Sequence, residues 1–159
     1  MNKMQQKRNE LMNFMLNTVQ GIDGTYRVSQ RLESETLNSG DRDAQRKIMG
    51  DPVKYIEVRY VGSDINPQKR RASNKAFNRA NRFSVSLWRE FTQTSQEAFD
   101  RICEGDNGIL SQLEQLSYFT IDGDTHLVML PEGVNVTEVY IDSQNGDLAH
   151  FLNFNIEIR

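Results

Sequence analysis

The sequence predicts one α+β domain spanning 1–159, built on a mostly antiparallel sheet of five or six strands. An N-terminal helix and a middle helix pack on one face of it, and two long loops are inserted. Three observations carry this. Met4, Leu11, Met12, Met15, Leu16 and Val19 recur at spacings of three, four and seven, which puts one apolar stripe on a helix over residues 3–20. Several later stretches alternate apolar and polar residues with period two. Their connections read as hairpins, with no βαβ run, so an antiparallel sheet with helices on one side is the natural solution.

The first helix is expected to stop at Gly21, with "GIDG" as a turn and "TYRVSQRLE" as a first strand alternating Tyr26 and Val28 against Arg27 and Ser29. "KYIEVRYV" alternates Ile56, Val58 and Tyr60 against Tyr55, Glu57, Arg59 and Val61. "FSVSLWREF" sets Phe83, Val85, Leu87 and Phe91 against Ser84, Ser86, Trp88 and Glu90, the clearest strand of the chain. Thr94 or Ser95 can cap the middle helix, with Glu97 in its first turn and Ala98, Phe99, Ile102 and Cys103 on its buried side. "EGDNG" breaks that helix and "ILSQLEQL" adds one or two turns. "YFTIDGDTHLVML" is a hairpin turning at Asp122–Asp124, and "VNVTEVYI" is a further strand.

"AHFLNFNIEIR" alternates Leu152, Phe154, Ile156 and Ile158 against Phe151, Asn153, Asn155 and Glu157, so this closing strand belongs to the core. It is expected either between neighbouring strands, serving stability alone, or at or near a sheet edge, where its open backbone groups would invite another chain. Residues 34–52 and 62–82 show neither period and read as long polar loops, the first with one helical turn around 44–49. Loops of that length inside a compact domain usually serve a function, so both are expected to meet partners.

Hydrophobic residues make up 37% of the chain, a lean core for its 159 residues. The formal charge of −3 comes from 19 basic and 22 acidic residues, too balanced to mark a nucleic-acid-binding protein. The distribution says more. Between Asp64 and Arg82 lie Lys69, Arg70, Arg71, Lys75, Arg79 and Arg82 against a single acid, leaving 13 basic and 21 acidic residues elsewhere. A basic arm on an acidic body suits docking to a negative surface, with Phe77 as its one large apolar anchor. The candidate partner-binding residues are therefore Lys69, Arg70, Arg71, Lys75, Phe77, Arg79 and Arg82; the plainer alternative is a solvated loop.

Signatures of chemistry are missing from the pattern. Cys103 is the lone cysteine and reads as a small apolar filler. His126 and His150 stand alone in strands without metal-ligand spacing, "DGDT" lacks the later residues of a calcium loop, and "GIDG" lacks the lysine of a phosphate loop. No catalytic residue, cofactor or metal is called for, and no signal or membrane-spanning stretch appears, which implies assembly in a cytoplasm. A small ligand-binding or nucleic-acid-binding α+β domain remains as an alternative.

The amphipathic N-terminal helix, "FSVSLWREF", "SQEAFDRICEGDNGILSQLEQL", "HLVMLPEG" and "AHFLNFNIEIR" together resemble the tail terminator, or tail completion, proteins of tailed bacteriophages and the related neck proteins. The likeness is one of layout, clearest over 83–159. It implies a homo-oligomeric ring, typically of six copies, in the virion neck. Such a ring caps the tail tube, stops its growth and offers its other face to a head-closure or connector protein. DNA would pass through the centre without sequence-specific binding. The loops 34–52 and 62–82 depart from any common pattern, which leaves head-closure protein and connector adaptor as alternative positions.

Overall fold

The computed structural model describes residues 2–28, 52–65, 79–130 and 149–159, the side chains of Asp64, Ile65 and Arg79 excepted. The expected helical turn at 44–49, the strand "VNVTEVYI" and the residues Lys69, Arg70, Arg71, Lys75 and Phe77 lie outside these.

Helix α1 (Lys3–Asp23) opens with a capping box: the Asn2 side chain accepts from the Gln5 amide at 2.8 Å and the Gln5 side chain accepts from the Asn2 amide at 3.1 Å. Its buried stripe is Lys7, Leu11, Met15 and Val19, one residue per turn. The helix outruns the expected stop at Gly21. That glycine lies where an added Cβ would meet nothing within 4 Å, so it is tolerated inside the helix, and the chain leaves the helix at Gly24 with φ 75.

β1 (Arg27–Val28) pairs parallel with β2 (Lys54–Ile65) at Tyr55 and Ile56. β2 and β3 (Arg79–Glu90) form a long antiparallel pair from Lys54 opposite Arg89 to Ile65 opposite Arg79. This corrects the proposed loop 62–82: Gly62–Ile65 and Arg79–Arg82 are strand. A bulge between Tyr60 and Gly62 shifts the register and breaks the alternation that would have revealed the continuation. Past it, Asn81 Nδ2 donates to Ser63 Oγ at 2.7 Å, a cross-strand bond that suits polar residues to these positions.

α2 (Ser95–Glu104) buries Ser95, Ala98, Phe99, Ile102 and Cys103. Its cap residue is Thr94, whose side chain makes no capping bond; the Ser95 hydroxyl instead accepts from the Thr92 amide at 2.9 Å and donates to the Thr92 carbonyl at 2.8 Å. Gly108 leads into α3 (Ile109–Gln115) so close to α2 that a Cβ there would lie 2.8 Å from the Arg101 and Ile102 carbonyl oxygens. β4 (Tyr118–Ile121) and β5 (Asp124–Met129) form a hairpin whose turn residues Asp122 and Gly123 have φ 52 and 83, the signs of a type I′ turn.

β6 (Ala149–Ile158) pairs with β3 along its whole length and with β5 at Val128–Ile158 and Met129–Glu157. The sheet order is β1-β2-β3-β6-β5-β4. The closing strand is therefore central, which decides between the two expected placements against an edge. Leu152, Phe154, Ile156 and Ile158 all enter the main core, and the middle of the sheet is where a strand with so apolar a face buries most.

The helices cover one face of this α+β sheet. There Leu11, Met15, Ile56, Phe83, Leu87, Phe99, Ile102, Ile109, Leu152 and Ile156 pack in one cluster, each fully buried large side chain worth about 1.5–3 kcal/mol over its exposed state. Tyr55 and Trp88, assigned to the polar side by the alternation, are buried in a second cluster with Val53 and Ala149. Their rings stack 5.7 Å apart across the β2–β3 pair. Phe91, expected on the core face, is 40% exposed beyond the end of β3.

Candidate functional site

On the sheet face turned away from the helices Tyr55 and Trp88 are buried, and side chains remain available further along β2, β3 and β6. The register aligns Arg59 with Ser84 and Ser84 with Asn155, while Glu157 stands opposite Arg82. Together with Val61 these residues line an open groove of about 460 Å³ across β2, β3 and β6. Its floor is polar: Ser84 is buried, and Asn153 Nδ2 donates to Ser86 Oγ at 2.7 Å and to Ser84 Oγ at 3.2 Å. Glu157 is engaged by Arg159, whose Nε lies 2.7 Å away. Guanidinium, hydroxyl and amide donors in one groove suit a carboxylate or phosphate, which a planar guanidinium can hold by two bonds.

An apolar rim continues this face. Tyr118 stands opposite Leu127 in the β4–β5 hairpin and Met129 opposite Glu157, and the three are exposed at 55%, 51% and 41%. Val61 at the bulge is 50% exposed on the other side of the groove. Beyond Ile56, no described strand pairs with the outer edge of β2.

Of the residues singled out as partner-binding, Arg82 lines the groove and Arg79 opens β3. The other candidates, Lys69, Arg70, Arg71, Lys75 and Phe77, lie outside the described residues. Arg59 and Asn155 were missed as candidates. Their positions among the polar residues of alternating strands were legible, but the pairing that brings them together is not a local property.

Two buried polar clusters hold the core side together. Lys7 Nζ donates to Asn81 Oδ1 at 2.7 Å and to the Ile158 carbonyl at 3.4 Å; burial, then neighbouring Lys3, lowers its pKa. At the other end of α1, Asp23 Oδ2 accepts from Tyr26 at 2.6 Å and from Arg89 Nε at 3.0 Å, while Lys54 donates to the Asp23 carbonyl at 2.6 Å. Burial and then the bond to Asp23 push the Tyr26 phenol far upward, and burial lowers Lys54. Both clusters join α1 to the sheet.

Ser95 and His150 are 3.1 Å apart, the spacing of a nucleophile and its base. Both are fully buried, and the Ser95 proton is committed to the Thr92 carbonyl, so His150 Nε2 must be the donor. His150 stacks between Phe91 and Phe99 at 4.7 and 4.8 Å. This pair fastens α2 to β6 and presents no nucleophile to solvent. Among the described residues no group of three or more His, Cys, Asp or Glu side chains could hold a metal ion, and no helix is long and apolar enough to cross a membrane.

The fold is an α+β sheet with its helices on one face and, on the other, a groove lined by Arg59, Val61, Arg82, Ser84, Asn155 and Glu157. The sequence matches no protein-family model and no curated protein.

Proposed function

We propose that the chain is a structural protein of a tailed-phage virion, forming a ring in the neck that caps the tail tube, stops its polymerisation and provides the head-joining interface. The likeness of layout motivates this reading, and the groove on the sheet face away from the helices is the observation that carries it: donors with an apolar rim, beside an edge of β2 that no described strand pairs beyond Ile56, suit another protein. Its partners would be further copies of the chain, the tail tube protein and a head-closure or connector protein, with DNA passing through the channel. A place as head-closure or adaptor protein would use the same face.

Light scattering after gel filtration, over a range of concentrations and with tail tube added, tests the ring. A closed species, about six copies, is expected. A strict monomer under every condition, assembled tails included, would remove the reading. Replacing Arg70, Arg71 and Lys75 by Ser tests the basic segment separately: electron microscopy should then show fewer tails joined to heads.

A further inference from the structure

We infer that the groove on the open sheet face receives the acidic surface of α2 and α3 from a second copy of this chain, so that the subunits join head to tail. The inference rests on the ring reading above and names the surfaces that would build it.

The two surfaces are complementary and lie on opposite layers of the molecule. On the helix layer, Glu97, Asp100, Glu104, Asp106 and Glu114 are all exposed, while Arg101 is the one base between Ser95 and Gln115. Among the described residues none of these carboxylates has a cation within ion-pair distance; Asp100 accepts only from Gln96, at 3.0 Å. The opposite faces of α2 and α3 bury Phe99, Ile102, Ile109 and Leu113, which fixes the acids outward. On the sheet layer, Arg59 is exposed and has no ion-pair partner among the described residues. Arg82 adds a second guanidinium across the groove, and the one acid of the lining, Glu157, is already neutralised by Arg159.

A nucleic-acid strand could use the same donors. A second copy is favoured because the exposed Leu127, Met129 and Val61 flank the donors with Tyr118 as the single aromatic among these rim residues, and a mainly aliphatic rim suits a protein surface better than a run of stacked bases. A contact between two different patches is heterologous, and it closes into a ring when the rotation per subunit divides the circle.

Reciprocal charge reversal on the full chain tests this. One variant carries Arg59→Glu and Arg82→Glu; the other carries Glu97→Lys, Asp100→Lys and Glu104→Lys. Each alone should lose association about tenfold or more in sedimentation, because like charges then face each other, and an equal mixture should recover it. Wild-type association should also weaken as salt rises from about 0.05 M to about 0.5 M. Thermal melting confirms that each variant is folded, and Arg59→Gln with Arg82→Gln replaces the first if it is not.

If wild type forms rings and the mixture stays dissociated, or if the Arg59 and Arg82 variant assembles normally, these surfaces are wrong while the ring reading stands. If wild type never associates, both fall. A labelled single-stranded oligonucleotide provides the remaining arm. Loss of its binding in the Arg59 and Arg82 variant, with self-association intact, would assign the groove to nucleic acid and overturn the inference.

Discussion

Arg89, at the end of β3, donates through Nε to Asp23 Oδ2 at the last turn of α1, with the two side chains only 5% and 10% exposed. A buried pair of this kind is costly to break from one side, because the remaining charge is left without a partner. Asp23→Ala should lower stability by about 3–5 kcal/mol in urea unfolding, and Asp23→Leu combined with Arg89→Met by less than either single change. A double variant as damaged as the sum of the singles would mean that the two residues act independently.

Alkaline pH should weaken the same cluster through Tyr26. Its folded pKa is raised, so its contribution is complete below the unfolded value, about 10, and is lost as pH climbs beyond it. Lys54, whose folded pKa is lowered, works the other way and gains up to its own unfolded value, about 10.5. Comparing wild type with Tyr26→Phe isolates the phenol: the stability advantage of wild type should shrink above about pH 10. An advantage that stays flat to pH 11, about one unit past that value, would contradict the burial of the hydroxyl.

Ser95→Ala removes an oxygen that serves Thr92 twice and His150 once. His150 Nε2–H is left in a closed site, so the loss should be about 1–3 kcal/mol, read as a lower melting temperature. Ser95→Thr, which keeps the oxygen, should recover part of it.

Ending the chain after Leu152 removes Phe154, Ile156 and Ile158 from the middle of the sheet. Each such side chain is worth about 2–5 kcal/mol where packing is tight, so the shortened chain should not fold. Circular dichroism showing a native melting transition would contradict the central place of β6.

What the sequence made legible was local. The Asp122–Gly123 turn, the alternation of Phe83, Val85 and Leu87, and the buried side of α2 depend on neighbours within one element. The position of β6 was not legible, because alternation identifies the face a strand buries and says nothing about which strands flank it. Lys7 sits in the buried stripe of α1 because Asn81, far along the chain, supplies its acceptor. Tyr55 and Trp88 looked solvent-facing until their pairing across β2 and β3 placed the rings together. Arg82 was singled out for its charge, whereas Arg59 became a candidate only through its alignment with Ser84 and Asn155.

The central place of β6 governs when this sheet can be completed during synthesis. Until Ala149–Ile158 has emerged from the ribosome, the β2–β3 and β4–β5 hairpins have no strand in common, and the β3 edge that β6 will occupy stays open. Pairing residues as distant as Asn81 and Ile158 requires closing nearly half of the chain into one loop, a slow kind of step. The nascent protein is thus most prone to mispair with its neighbours on a polysome just before β6 emerges, and a chaperone that shields the β3 edge should raise its yield more than one acting on α1.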